Sequence, residues 1–110
     1  MVLVHIKRDP LHNVLGFSCE GHADYAEKGA DIICAAISTL TMSTILSLQQ
    51  LTKLTLKIKK NSDKGWLECN WDNIPTEKEH ANLIVAVMII GLKDIAAQYP
   101  AYLKVSEVEV

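Results

Sequence analysis

A chain of 110 residues with a hydrophobic content of 49% is long enough to bury one core, which predicts a single domain over residues 1–110. The formal net charge of −2, with Lys and Arg spread along the chain, argues against direct nucleic-acid binding. We recognise no secretory signal and no apolar run long enough for a membrane span, so we expect a cytoplasmic protein without membrane contact.

The three cysteines, Cys19, Cys34 and Cys69, are an odd number and form no CxxC pair. Their spacing argues against a disulfide framework and favours reduced thiols in the cytosol. Cys19 and Cys69 fall within predicted strands and have no neighbouring cation or helix start to activate them, so we expect both to be structural.

The first elements are strands. Residues 2–7 alternate apolar and polar side chains, residues 9–13 have turn composition, and residues 14–20 form a second alternating run. We therefore expect a hairpin whose second strand leads directly into Gly21 and His22.

An apolar stripe at three- and four-residue steps predicts a helix over residues 31–51. Strands at 54–60 and 66–71 follow, joined by a turn at 61–65. Thr76 and Glu79 match a capping box at the start of a second helix that ends near Gln98, before Pro100. A last strand starts near Leu103, with a phase change near Ser106 that indicates a bulge.

The order ββαββαβ predicts an α+β fold with two layers, in which a mostly antiparallel sheet carries two helices on one face. The second helix is apolar around much of its circumference between residues 83 and 92. We expect part of this surface to pack against a second copy of the chain, giving a homodimer; alternatively, the first helix covers it within one subunit.

The chemistry is expected between residues 21 and 38. Gly21 and Gly29 bracket a loop, and the helix that begins at Ala30 or Asp31 places Cys34 in its first turn. Unpaired amides and the helix dipole favour an anion there, and a thiolate is such an anion. With His22 twelve positions earlier, this is the minimum set for thiol nucleophilic catalysis.

Each of these residues has a simpler interpretation. Cys34 also fits a small buried hydrophobe, and His22 a loop histidine. Asp31 fits a plain helix cap, Asp24 could orient the imidazole, and Ser38 either hydrogen-bonds near the site or back-bonds to its own helix. At most His22, Cys34 and one carboxylate converge, so we expect no metal site; phosphate-binding motifs are absent and no cofactor is expected.

The segment GHADYAEKGADIICAAIS resembles the signature of the ribosomal-processing cysteine proteases, the Prp family, and VHIKRD and GLKDIAAQYPAYLKV are similar to the family's ends. The resemblance implies a homodimeric α+β cytoplasmic endopeptidase. It would remove the short N-terminal extension of a large-subunit ribosomal protein, number twenty-seven of that set, and this extension peptide would be its partner.

Carried over by position, the resemblance makes Cys34 the nucleophile and His22 the general base and acid, with Asp31 capping the helix or supporting the pair. Backbone amides near Cys34 and Ala35 are expected to hold the oxyanion. We expect the 21–30 loop to order over the substrate, with contacts from five positions: Gly21, Ala23, Gly29, Ala35 and Ser38.

Two other classes remain open at this point. A ribosome-associated adaptor without activity would suit the small size, the apolar helix and the lack of a clear third catalytic residue. A thiol-redox enzyme is less favoured, because no resolving cysteine is near Cys34 in sequence. A reactive Cys34 would favour an enzyme, and an inert, buried Cys34 the adaptor.

Overall fold

The computed structural model describes residues 1–27 and 30–110, and its elements follow the predicted order ββαββαβ. The strands and helices have these bounds: β1 Val2–Arg8, β2 Val14–Glu20, α1 Ile32–Leu51, β3 Lys57–Asn61, β4 Trp66–Asn70, α2 Lys78–Gln98 and β5 Leu103–Glu109.

The five strands form one sheet in the order β3-β4-β2-β1-β5. Neighbouring strands are antiparallel except β1 and β5, which pair in parallel. The parallel pair becomes possible because α2 intervenes between β4 and β5 and carries the chain across the sheet. The two hairpins lie side by side, with β2 of the first paired to β4 of the second.

Strand alternation gives the sheet one buried face. The inward residues include Val4, Ile6, Phe17 and Cys69, all fully buried, and they join α1 and α2 in one core. The other face is polar, and Lys7 there donates to Glu68 and Asn70 at 3.1 and 2.9 Å. The predicted two-layer α+β architecture, with both helices on one face, is confirmed.

Two local predictions are wrong. The capping box at Thr76 is absent, because α2 begins after Glu77 and has no side-chain cap bond. The bulge at Ser106 is also absent, since β5 keeps register with β1 through that residue. A separate irregularity, between Lys7 and Arg8, belongs to the pairing of β1 with β2. Beyond Ser106 the edge strand is exposed, so no core face demands an apolar side chain at alternate positions.

The third strand begins later than predicted, at Lys57 instead of Leu54. Leu54 is nevertheless buried, so its apolar side chain reflects packing of the connection into the core and not a strand position. Periodicity alone does not separate these two origins of an apolar residue.

The apolar surface of α2 is only partly covered within one chain. Val85, Met88 and Leu92 are buried, whereas the other side of the helix carries an exposed apolar stripe. This stripe consists of Leu83, Val87 and Ile90, which are 68, 63 and 70% exposed. Packing against α1 therefore leaves the stripe exposed to solvent, and the homodimer stays a prediction.

Both helices are long and apolar enough to cross a membrane by length and mean hydropathy, which is 1.6 for each. This differs from the expectation that no apolar run is long enough for a membrane span. Each helix buries part of its surface in the domain core, and core helices of this kind pass the same test.

Candidate active site

Cys34 lies half-buried in the first turn of α1, as predicted. Asp31 precedes the helix in an extended conformation and is its N-cap. One carboxylate oxygen of Asp31 accepts a hydrogen bond from the Cys34 amide at 2.9 Å. The cap therefore fixes the backbone of the residue that carries the thiol.

The second carboxylate oxygen of Asp31 holds the loop. It accepts from the Tyr25 amide at 3.0 Å, while the Tyr25 ring packs edge-on against Tyr99 and Tyr102. Desolvation pushes the pKa of Asp31 upward, but hydrogen bonds from nearby backbone amides, led by Cys34, outweigh it and hold the pKa below its usual value. Asp31 is thus a stable anion that ties the loop to the helix start.

His22 follows the end of β2 through Gly21, whose φ is +92°. A Cβ at position 21 would lie 2.5 Å from the carbonyl oxygen of Met1, so both the conformation and the space require glycine. The His22 ring is exposed, and its Nε2 lies 3.4 Å from the Asp63 carbonyl oxygen.

Two adjoining cavities of about 240 and 580 Å³ meet at this site. Four residues line both: His22, Cys34, Ser38 and Ser62. The fold thus brings the predicted thiol and imidazole to one surface depression, although they come from different elements. An extended peptide running through both cavities would pass the thiol, as thiol catalysis requires.

Of the other residues predicted to contact the substrate, some line the cavities and some do not. Gly21 lines the smaller cavity, Ala35 lines the larger one, and Ser38 lines both without a side-chain back-bond to its own helix among the described contacts. Ala23 is 1% exposed and lines neither cavity, because its methyl group belongs to the core. Gly29 lies outside the described residues.

Asp24 has a left-handed backbone (φ 58°) and lines the larger cavity. Its carboxylate lies 3.9 Å from the Met1 ammonium, and no hydrogen bond to His22 is found for it in residues 1–27 or 30–110. The described contacts therefore do not make Asp24 the group that orients the imidazole.

The expected oxyanion donors are already engaged. The Cys34 amide donates to the Asp31 side chain, and the Ala35 amide donates to the Asp31 carbonyl oxygen at 3.1 Å. Both bonds belong to the cap and first turn of α1, so these amides are not free to receive a developing negative charge. The oxyanion role of these amides therefore stays a prediction, and it requires each amide to leave its present acceptor.

The β3–β4 turn also lines the site, and the sequence did not predict this. The turn between β3 and β4 places Ser62 in both cavities and Gly65 in the smaller one. Its composition predicted a turn but carried no signal of a site. The smaller cavity is further lined by Lys60, Trp66 and Leu67 from the flanking strands.

The remaining cysteines are buried in strands, as expected. Burial raises the pKa of Cys19 to about 12 and that of Cys69 to about 11. Cys19 nevertheless lines the smaller cavity, which the sequence did not indicate. Among residues 1–27 and 30–110, no three His, Cys, Asp or Glu side chains are grouped to hold a metal ion.

This geometry agrees with comparisons with known proteins. A family model described as cysteine protease Prp matches residues 1–104. The ribosomal processing cysteine protease Prp of Bacillus subtilis is 25% identical over 108 residues, covering 96% of each chain. That of Staphylococcus aureus is 27% identical over 99 residues, covering 90% of this chain and 92% of the relative.

A crystal structure shows the same architecture. It is that of the essential ribosomal processing protease Prp of Staphylococcus aureus with a covalently linked product peptide. The two chains are 25% identical and superpose with a TM-score of 0.89, covering 98% of this chain and 100% of the other. The order of elements and the sheet are therefore shared with a protein that binds a peptide covalently.

Proposed function

Because the chain belongs to the cysteine protease Prp family, we propose that this protease removes the short N-terminal extension of a large-subunit ribosomal protein, number twenty-seven of that set, in the cytoplasm. The observation that carries the proposal is that Cys34 and His22 line the same two cavities at the start of α1. The ribosomal processing named for the relatives supports the substrate class.

The chemistry follows from these two side chains. His22 takes the proton of the Cys34 thiol, and the thiolate sulfur attacks the scissile carbonyl carbon. Protonated His22 then donates to the leaving amine, which is the new N-terminus of the mature ribosomal protein. The extension stays bound to Cys34 as a thioester until water hydrolyses it, releasing a carboxylate and restoring the thiol. The covalent product peptide of the relative supports such an intermediate.

Incubation with a peptide that spans the extension tests the substrate. We expect a single cut by the wild type, read by mass spectrometry, and no cut by Cys34→Ala or His22→Ala. Cleavage by either variant at the wild-type rate would contradict the assignment of that residue. No cut by a wild type whose Cys34 reacts rapidly with iodoacetamide would contradict the proposed substrate but not the protease.

Iodoacetamide also separates the three thiols. Since burial raises the pKa of Cys19 to about 12, its thiolate is far scarcer at neutral pH than that of an ordinary thiol. We expect one modified site in the folded wild type and none in Cys34→Ala. An inert Cys34 would contradict its role as the nucleophile and favour the adaptor interpretation.

We further propose a homodimer joined through the α2 stripe, supported by three large apolar side chains exposed at positions 83, 87 and 90. Light scattering at micromolar concentration should give the mass of two chains. Val87→Asp should shift the mass to 12.2 kDa, since a charge cannot be buried in an apolar contact. A monomeric wild type would refute the dimer.

A further inference from the structure

We propose that the β3–β4 turn, residues 62–65, positions the His22 imidazole for reaction with Cys34. In this arrangement the Asp63 carbonyl oxygen accepts a hydrogen bond from His22 Nε2–H, and the missing side chain of Gly65 leaves room for the ring. The inference rests on the proposed function, because it gives His22 the role of the base.

Strand register brings the turn to the histidine. In β2 and β4, Cys19 pairs with Leu67 and Glu20 with Trp66. The residue before Trp66 is therefore next to the residue after Glu20, so the β3–β4 turn and the start of the His22 loop share one end of the sheet. A side chain leaving β2 at this end has the turn as its neighbour.

The acceptor determines which nitrogen carries the proton. The Asp63 carbonyl oxygen lies 3.4 Å from Nε2 and can only accept, so the proposed hydrogen bond requires the proton on Nε2. A neutral imidazole has one N–H, which leaves the lone pair on Nδ1. Nδ1 is then the nitrogen available to take the Cys34 proton, and the carbonyl stabilises the imidazolium that forms.

The absence of a side chain at Gly65 lets the His22 ring lie close to the turn. It has a φ of +60°, and its amide donates to the Ser62 carbonyl oxygen at 3.2 Å. A Cβ at position 65 would lie 2.9 Å from both Cε1 and Nε2 of His22 and 2.5 Å from the Gly21 carbonyl oxygen. A larger residue must therefore displace the ring or the backbone that carries it.

Two kinds of variant separate positioning from stability. Gly65→Ala should lower kcat about 100-fold while KM stays within about threefold, because it displaces a reacting group and leaves open the larger cavity, which Gly65 does not line. Gly16→Ala is the matched control, since its Cβ would lie 2.6 Å from the Cys69 carbonyl oxygen, far from His22 in the sheet. It should lower the melting temperature but leave kcat per folded molecule unchanged.

A second measurement needs no cleavage. Nitrogen-15 NMR of Cys34→Ala, at a pH well above the titration midpoint of the ring, should show His22 almost entirely as the Nε2–H tautomer. His12, whose ring has no hydrogen-bond partner among the described residues, supplies the reference mixture. Adding Gly65→Ala should return His22 to that mixture.

Different results test the positioning of His22 and the proposed substrate. A His22 tautomer mixture equal to that of His12, or a predominance of Nδ1–H, would overturn the inference even if the peptide is cleaved. Wild-type kcat in folded Gly65→Ala would do the same. If Gly65→Ala does not fold, the tautomer in the intact turn decides. Failure to cleave the peptide, with the Nε2–H tautomer observed, would refute the proposed substrate and leave the positioning intact.

Discussion

The two helices are similar in length and hydropathy but begin in different ways. At the start of α1, Asp31 is extended and uses both carboxylate oxygens on backbone amides, one of them from Cys34. At the start of α2, Glu77 is in the helical region and caps nothing with its side chain. Its carboxylate lies 3.2 Å from His80 Nδ1 instead.

The contrast shows what a side-chain cap does in this fold. The α2 start is held by packing, because Ala81 and Val85 are buried just after it and the Ala81 amide bonds the Glu77 carbonyl oxygen at 2.9 Å. The α1 start must also place a thiol and anchor a loop, which packing alone does not do. Capping by Asp31 thus belongs to the site, whereas the start of α2 belongs to the core.

Asp31→Ala should have the largest effect on this contrast. It removes the bonds to the Cys34 and Tyr25 amides together, so peptide cleavage should fall about 100-fold, as expected for a small displacement of a reacting group. The free energy of unfolding should fall by about 0.5–2 kcal/mol, the usual cost of a lost N-cap. Cleavage assays and urea titration measure the two effects, and wild-type kcat would contradict the placement role.

Asp31→Asn should have a smaller effect, because it keeps one of the two hydrogen bonds and loses the other. Its amide oxygen still accepts from the Cys34 amide, but its NH₂ group cannot accept from Tyr25. Stability should fall by less than in Asp31→Ala, and activity should lie between those of the wild type and Asp31→Ala. An activity equal to that of the wild type would show that the loop bond has no role.

Acid should weaken the α1 cap. The pKa of Asp31 lies below its ordinary value of 3.8, so its contribution to stability is complete above pH 3.8 and disappears as the pH falls through the folded-state pKa. The difference in melting temperature between wild type and Asp31→Asn should therefore shrink on acidification below that value. A constant difference would show that the Asp31 charge adds nothing.

Glu77→Ala should change less. The lost contact is the hydrogen bond between His80 Nδ1 and the buried Glu77 carboxylate, and a hydrogen bond contributes about 0.5–1.5 kcal/mol. We expect a change of that size in the free energy of unfolding and unchanged kcat. Glu77→Gln is the size-matched control, and a loss of cleavage in either variant would blur the distinction between the two helix starts.

Thr76→Ala should have the smallest effect. Because α2 has no side-chain cap bond, the free energy of unfolding should change by less than about 0.5 kcal/mol, as for most surface positions. A loss near 1 kcal/mol in thermal or urea unfolding would restore the capping box that the sequence suggested.

Local features of the chain were predictable where a short pattern decides them. The first hairpin, the start of α1 at Asp31, and the class of chemistry at Cys34 and His22 depend on residues close in sequence. Thr76 shows the limit: its spacing to Glu79 fits a capping box, yet packing of Ala81 and Val85 starts the helix one residue later. The absence of a bulge at Ser106 has the same kind of cause, because continuous pairing of β5 with β1, which are far apart in sequence, sets the register there.

Periodicity and residue chemistry are local properties, so the sequence was enough to predict the order of elements, the two-layer class, and Cys34 and His22 as candidates for the catalytic thiol and imidazole. The parallel pairing of β1 with β5 and the position of Ser62 and Gly65 beside the cavities depend on contacts between residues far apart in the chain, so the folded structure alone shows them. The partner of His22 is a main-chain carbonyl at Asp63, which every residue type carries. No side-chain pattern encodes it, and strand register alone brings it to the ring.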